Sequence, residues 1–159
     1  MKVSVCQEIK GSPEQVFAAA SDFERASEWV AAITQIEMLS EGPVGVGTRF
    51  RETRVMFKRE ASEEMTVSEF IPGRAYTLTS VSCGAEYKSR FTFRSQGDKT
   101  MVNVLFKTQP HSLFAKLTAP LSLLMRGTMR GCLQDDLEAL RARMEGSTPT
   151  PLSYAGAPA

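Results

Sequence analysis

Residues 112–145 read SLFAKLTAPLSLLMRGTMRGCLQDDLEALRARME. Leu113, Leu117, Leu121, Leu124, Thr128, Cys132, Leu137, Leu140 and Met144 recur at steps of three to five. That spacing keeps one apolar stripe along a helix. The stretch therefore predicts a long amphipathic helix at the end of a chain that otherwise reads mostly as strands. Pro120 lacks an amide donor and is expected to kink or restart the helix, with Thr118 as a cap for the restart.

Upstream of the helix the period changes from three or four to two. Val3, Val5 and Ile9 alternate with polar residues and predict a first strand that Gly11 ends. Ser12-Pro13-Glu14-Gln15 then opens a helix, with Ser12 as the cap, Pro13 in the first turn and Gln15 completing a capping box. Ser21-x-x-Glu24 repeats that signal and predicts a second short helix carrying Phe23, Trp29 and Val30. Strands are expected at 35–39, 48–57, 60–70, 75–82, 86–94 and 101–108. EGPVGVG, Lys58-Arg59, Ile71-Pro72-Gly73-Arg74, Cys83-Gly84 and Gln96-Gly97-Asp98-Lys99 separate them. Separators this short imply antiparallel hairpins. The expected fold class is α+β: an antiparallel sheet of about 6–7 strands, two short helices after the first strand, and a long C-terminal helix.

The whole chain has 159 residues, 42% of them hydrophobic, with a net charge of +1. This is an ordinary globular composition for one domain, large enough to bury roughly 70% of the unfolded chain's surface. Residues 1–145 are read as that domain and 146–159, rich in proline and small residues, as a flexible tail. Near-zero charge argues against nucleic acid as a partner. No apolar run is long enough to span a bilayer, and MKVSVCQEIKGSPEQ has no signal-peptide core, so a cytoplasmic location is expected. Cys6, Cys83 and Cys132 are odd in number and far apart, as reduced thiols are; no metal site and no cofactor is expected.

The pattern resembles the START-like (SRPBCC) superfamily with its helix-grip fold, and within it the polyketide cyclase/dehydrase branch. The residues that carry the resemblance are SPEQVF at 12–17, the segment from Asp22 to Trp29, and GPVGVGTRFR at 42–51. VSEFIPGRAYTLTS at 67–80, GDKTMV at 97–102 and MRGTMRGCLQDDLEALRARME at 125–145 complete it. The resemblance implies a curved sheet gripping the last helix around an apolar cavity. It also implies a small hydrophobic ligand of lipid, polyketide or aromatic type, bound or carried. A cyclase/dehydrase acting on that ligand is the alternative, and an interaction or stress protein with an incidental cavity a third. No family active-site residue carries over, because the family has no universal catalytic motif.

Candidate wall residues follow from the period of two on strands and from the helix stripe. Tyr76, Leu78 and Ser80 share one strand face. Tyr87, Ser89, Phe91 and Phe93 share another, and Met101, Asn103 and Leu105 a third. On residues 48–57, Phe50, Glu52, Arg54 and Met56 form one face, and Thr53, Val55 and Phe57 its rival. The helix adds Leu117, Leu121, Leu124, Met125, Thr128, Met129 and Cys132. The ligand-binding set is therefore Phe50, Tyr76, Leu78, Tyr87, Phe91, Asn103, Leu117, Leu121, Met125 and Met129. The same residues also suit a solid core.

Glu52 and Arg54 are the catalytic candidates. An inward face would place a buried acid and base side by side, able to orient a polar ligand end or to transfer a proton. An outward face would make them a solvated alternation, with Arg54 at least partly in water. His111, the single histidine, reads as a surface or helix-entry residue. Asp135 and Asp136 point about 100° apart on a helix and read as a solvated face. No GxSxG, HExxH, CxxC or Walker sequence occurs, so the corresponding hydrolase, zinc-protease and nucleotide-hydrolase signatures are missing. Between Asp98 and Asp135 there are cations but no acid: Lys99, Lys107, Lys116, Arg126 and Arg130. A basic side on the last helix gives a transient membrane-surface contact as a further expectation.

Overall fold

The computed structural model of the chain describes residues 1–113, 117 and 125–147. Pro120, Thr118, Leu121, Leu124, Lys116 and residues 148–159 of the expected tail lie outside the described residues. Strand β1 (Lys2–Lys10) is followed by helix α1 (Pro13–Ala20) and a 3₁₀ helix (Phe23–Glu28). Six strands come next: β2 (Ile33–Met38), β3 (Arg49–Met56), β4 (Arg59–Ile71), β5 (Ala75–Ser82), β6 (Ala85–Gln96) and β7 (Lys99–Pro110). Helix α2 (Arg126–Glu145) closes the described chain.

The capping box forms as expected: Gln15 N–H donates to Ser12 Oγ at 3.2 Å, and Ser12 N–H to Gln15 Oε1 at 3.0 Å. The second short helix differs. Asp22, not Ser21, stands at its N-cap without a side-chain cap bond, and the segment is a 3₁₀ helix that ends before Trp29 and Val30. Six residues are too few for a competing α-helix to propagate. Gly146 ends α2 in the left-handed region (φ 67°), and Ser147 N–H donates to Ala142 C=O at 2.9 Å. This satisfies a carbonyl of the last turn and suits glycine, which has no Cβ to strain there.

The described strands form one seven-stranded antiparallel curved sheet in the order β1-β7-β6-β5-β4-β3-β2. Register decides the faces. Phe91 pairs with Tyr76 and Val104, Leu78 with Val67 and Ser89, and Phe50 with Met65. One sheet face therefore carries Val3, Val5, Ile9, Phe50, Val67, Phe93, Val102, Val104 and Phe106, and packs on Leu133, Leu137 and Leu140 of α2. Helix α1 completes the core with Val16 and Phe17, the latter meeting Phe70, Tyr76 and Phe93 edge-on. Edge-to-face packing is the arrangement the ring quadrupoles favour.

Candidate functional site

The rival faces of β3 are resolved by the helix. Phe50 is 1% exposed and stacks on Phe23 with centroids 4.9 Å apart, which turns Glu52 and Arg54 inward with it. Arg54 Nε donates to Glu52 Oε1 at 2.8 Å, and Nη1 donates to Asp136 Oδ2 at 2.9 Å and Oδ1 at 3.2 Å. One guanidinium thus sits between a strand carboxylate and a helix carboxylate. Only 18% of the Arg54 side chain and 22% of the Asp136 side chain is exposed. The expectation that Asp136 belongs to a solvated face is corrected: it is the helix half of this charge cluster. A buried guanidinium needs compensating charge, and Asp136 supplies it.

The electrostatics follow from that geometry. Burial pushes the Glu52 carboxyl above its ordinary value; Arg54 opposes the shift, and Asp136 and Glu63 add to it. For Arg54 burial acts to lower the pKa, but Asp136 and Glu52 outweigh it and hold the guanidinium charged. Cys132, a turn before Asp136, has its thiol pushed up, first by burial and then by Asp136. It is therefore a poor nucleophile.

A pocket of about 630 Å³ opens beside the cluster, between the β3–β4 hairpin and the first turns of α2. Ala32, Val55, Met56, Phe57 and Lys58 form one side. Gly127, Thr128, Gly131, Cys132, Gln134, Asp135 and Asp136 form the other, and Arg54 reaches in from the sheet. Gly127 and Gly131 lie one turn apart on one helix face, so α2 presents bare backbone where it passes the hairpin. A Cβ added at Gly127 would meet nothing within 4 Å. Thr128 and Cys132, candidates from the helix stripe, lie beside the two glycines, which add a further sequence signal for the pocket.

Of the expected wall residues, Arg54, Met56, Thr128 and Cys132 line this pocket, Val55 and Phe57 join them from the rival set of β3, and Glu52 stands behind Arg54. Phe50 and Tyr76 belong to the core; Tyr76 is 3% exposed, stacks on Phe91 at 4.6 Å and donates its hydroxyl to Ala20 C=O at 3.4 Å. Leu78, Tyr87, Phe91 and Met129 are half-buried and pack against that core. Asn103 is a correction. It pairs with Cys6 and accepts from Ser4 Oγ at 3.1 Å on the outer sheet face, because Val102, Val104 and Phe106 take the inner one. Leu117 is a second correction, exposed where the helix stripe placed it inward, and Met125 is 39% exposed at the start of α2. His111 lies at the surface against Glu86, Nε2 to Oε2 at 3.3 Å. Among the described residues no group of acids, cysteines and histidine is arranged to hold a metal ion.

The family described as polyketide cyclase / dehydrase and lipid transport matches residues 1–145. No curated protein matches at a significant level. The fold is that of TTHA0849 from Thermus thermophilus, with TM-score 0.74, 19% identity, and coverage of 92% of this chain and 98% of that one. A START superfamily protein from Mycobacterium smegmatis aligns with TM-score 0.71 and 19% identity over 91% of this chain and 97% of that one. The di-domain ARO/CYC StfQ from the steffimycin biosynthetic pathway aligns with TM-score 0.75 and 10% identity, over 91% of this chain and 50% of the larger protein.

Proposed function

The chain belongs to the polyketide cyclase/dehydrase and lipid transport family, and on that premise we propose that it binds a small hydrophobic molecule with one polar, uncharged end. The observation that carries this reading is Arg54 at the side of an otherwise mainly apolar pocket. Its volume, about 630 Å³, suits a small ligand. Nε and Nη1 of Arg54 are engaged by Glu52 and Asp136, which leaves Nη2 without an acceptor among the described residues. A donor left open on a pocket wall selects a ligand oxygen. A carboxylate would also meet Asp136 on the same wall, so a carbonyl or hydroxyl fits better.

A second reading, cyclase/dehydrase chemistry, draws support from Glu52, whose raised pKa suits proton transfer. Glu52 is not on the pocket wall, however, and Arg54 stands between it and the ligand space. Binding is therefore the better-supported function.

The test is native mass spectrometry of the purified protein for a copurifying molecule, with displacement of an apolar fluorescent probe by neutral aromatic ketones and by fatty acids. Stronger displacement by the ketones is expected. Absence of any probe binding sinks the reading. Turnover of a bound polyketide that drops roughly 10²–10⁴-fold in Glu52→Gln would select the enzyme instead.

A further inference from the structure

The β3–β4 hairpin turns on Phe57 and Lys58, which both hold positive φ, 52° and 61°. Positive φ at both central residues is the type I′ requirement, normally met by Asn-Gly or a similar pair. The β5–β6 hairpin follows that rule at Cys83-Gly84, with φ 51° and 74°. At 57–58 the same backbone is held without glycine, and a bulky side chain is strained there. Burial offers no compensation: Phe57 is 57% exposed, at the edge of the pocket.

The surroundings repeat the pattern. Antiparallel pairing puts the β3–β4 and β5–β6 hairpins at one end of the sheet, where β7 also finishes. Val81 and Leu113 are large, apolar and exposed. Leu113 follows directly on His111 and Ser112, whose N–H groups both donate to Gly84 C=O. Met125 precedes the first turn of α2, which faces Phe57 across the pocket.

Cations interleave with these side chains. Lys58, Arg59, Arg126 and Arg130 are exposed and form no ion pair among the described residues. The nearby acids are engaged elsewhere in part: Glu86 faces His111, Glu60 accepts from Thr34 and Asp136 holds Arg54, while Asp135, on the pocket wall with Lys58, has an interaction of its own. Arg126 occupies the first turn of α2, which contains no acid. A cation there opposes the helix dipole, so local folding does not favour it.

We propose that this end of the molecule docks on an anionic lipid bilayer. Phe57, Val81, Leu113 and Met125 enter the interfacial layer, and Lys58, Arg59, Arg126 and Arg130 rest on the headgroups. Apolar area and positive charge together are what such surfaces bind. The pocket mouth then faces the membrane, and an apolar ligand passes between the two without crossing water. This purpose rests on the ligand-binding reading; the docking geometry does not.

The experiment is flotation of the full chain with vesicles of phosphatidylcholine alone or with 30 mol% (about a third) phosphatidylglycerol added, a fraction that sets an anionic surface. Binding to the anionic vesicles alone, weakened by salt, is expected. Arg126→Glu/Arg130→Glu changes no pocket wall residue and suits the helix dipole. It should lower vesicle partition at least tenfold, since each surface cation contributes roughly fivefold, while apolar-probe binding persists. Phe57→Asn/Lys58→Gly installs the preferred turn pair, so it folds at least as well, and should also lower partition. Equal binding to neutral vesicles, no binding at all, or a dimer in light scattering that Phe57→Asn/Lys58→Gly dissociates would each overturn the proposal. Vesicle binding without probe binding would refute the ligand reading and leave docking standing.

Discussion

Asp136 and Glu138 lie two residues apart on α2 and are bonded towards opposite margins of the sheet. Asp136 accepts from Arg54 of β3 at 2.9 Å, and Glu138 accepts from Gln7 Nε2 of β1 at 2.9 Å. Residues two apart on a helix point about 200° apart, so the helix offers one carboxylate to each side. With β1 at one edge of the sheet and β3 next to the other, both bonds form only because the sheet curls around the helix. Arg54 therefore serves twice: it fastens the grip and faces the pocket.

Removing that fastening should be costly. Asp136→Asn replaces a charge-assisted bond with a neutral one and leaves Arg54 half-compensated. A loss of about 1–3 kcal/mol is expected, read as a lower urea midpoint with an unchanged slope. Arg54→Met/Asp136→Leu should cost less than the sum of its single substitutions, because it leaves no orphaned charge. Strict additivity would mean that the pair contributes no coupling.

Gly127→Leu separates binding from stability. The new side chain enters open space in the pocket, and leucine is a better helix former than glycine by up to about 1 kcal/mol. Thermal stability should hold or rise while apolar-probe affinity falls. Unchanged affinity would place the ligand elsewhere.

Glu52 and Glu69 should give opposite pH dependences. The folded Glu52 carboxyl is held above its ordinary value of 4.5, first by burial. Its contribution is therefore fully present below 4.5 and is lost as pH rises through the folded value. Glu52→Gln should gain stability relative to the parent as pH climbs above that point. Glu69 is held at about 2, first by its bond to Arg90 and then by the one to Thr77. Its contribution is present above 4.5 and lost as pH falls through about 2. Glu69→Gln should flatten the acid limb by less than about 1 kcal/mol, since the Glu69–Arg90 pair is solvated. Urea titrations from pH 2 to 8 (roughly the span in which carboxylates titrate) check both signs.

Phe50→Ala should destabilise by about 3–5 kcal/mol, because it empties a filled core site against Phe23. Probe affinity per folded molecule should change little. A selective loss of affinity at full stability would return Phe50 to the ligand wall.

Much of the fold was legible in the sequence because its signals are local. The Ser12–Gln15 box, the alternation of Val3, Val5 and Ile9, and the short separators each depend on neighbours a few residues away. Strand limits moved by a residue or two, as when the β3–β4 turn fell on Phe57-Lys58 in place of Lys58-Arg59. The site was less legible. A period of two names two faces of β3 and of β7 without saying which is inside, and a slip of one residue exchanges them.

The sequence by itself determined the order of elements, the antiparallel hairpins and the amphipathic character of α2, because each is written in spacing along the chain. Only the tertiary structure turned Glu52 and Arg54 inward, sent Asn103 outward and put Asp136 beside an arginine 82 residues away. It also placed the pocket over Gly127 and Gly131 at the β3–β4 hairpin. Those outcomes depend on how far the sheet curls and on which side of α2 meets it. That balance is struck by the packing of the whole core, and no short stretch of the chain records it.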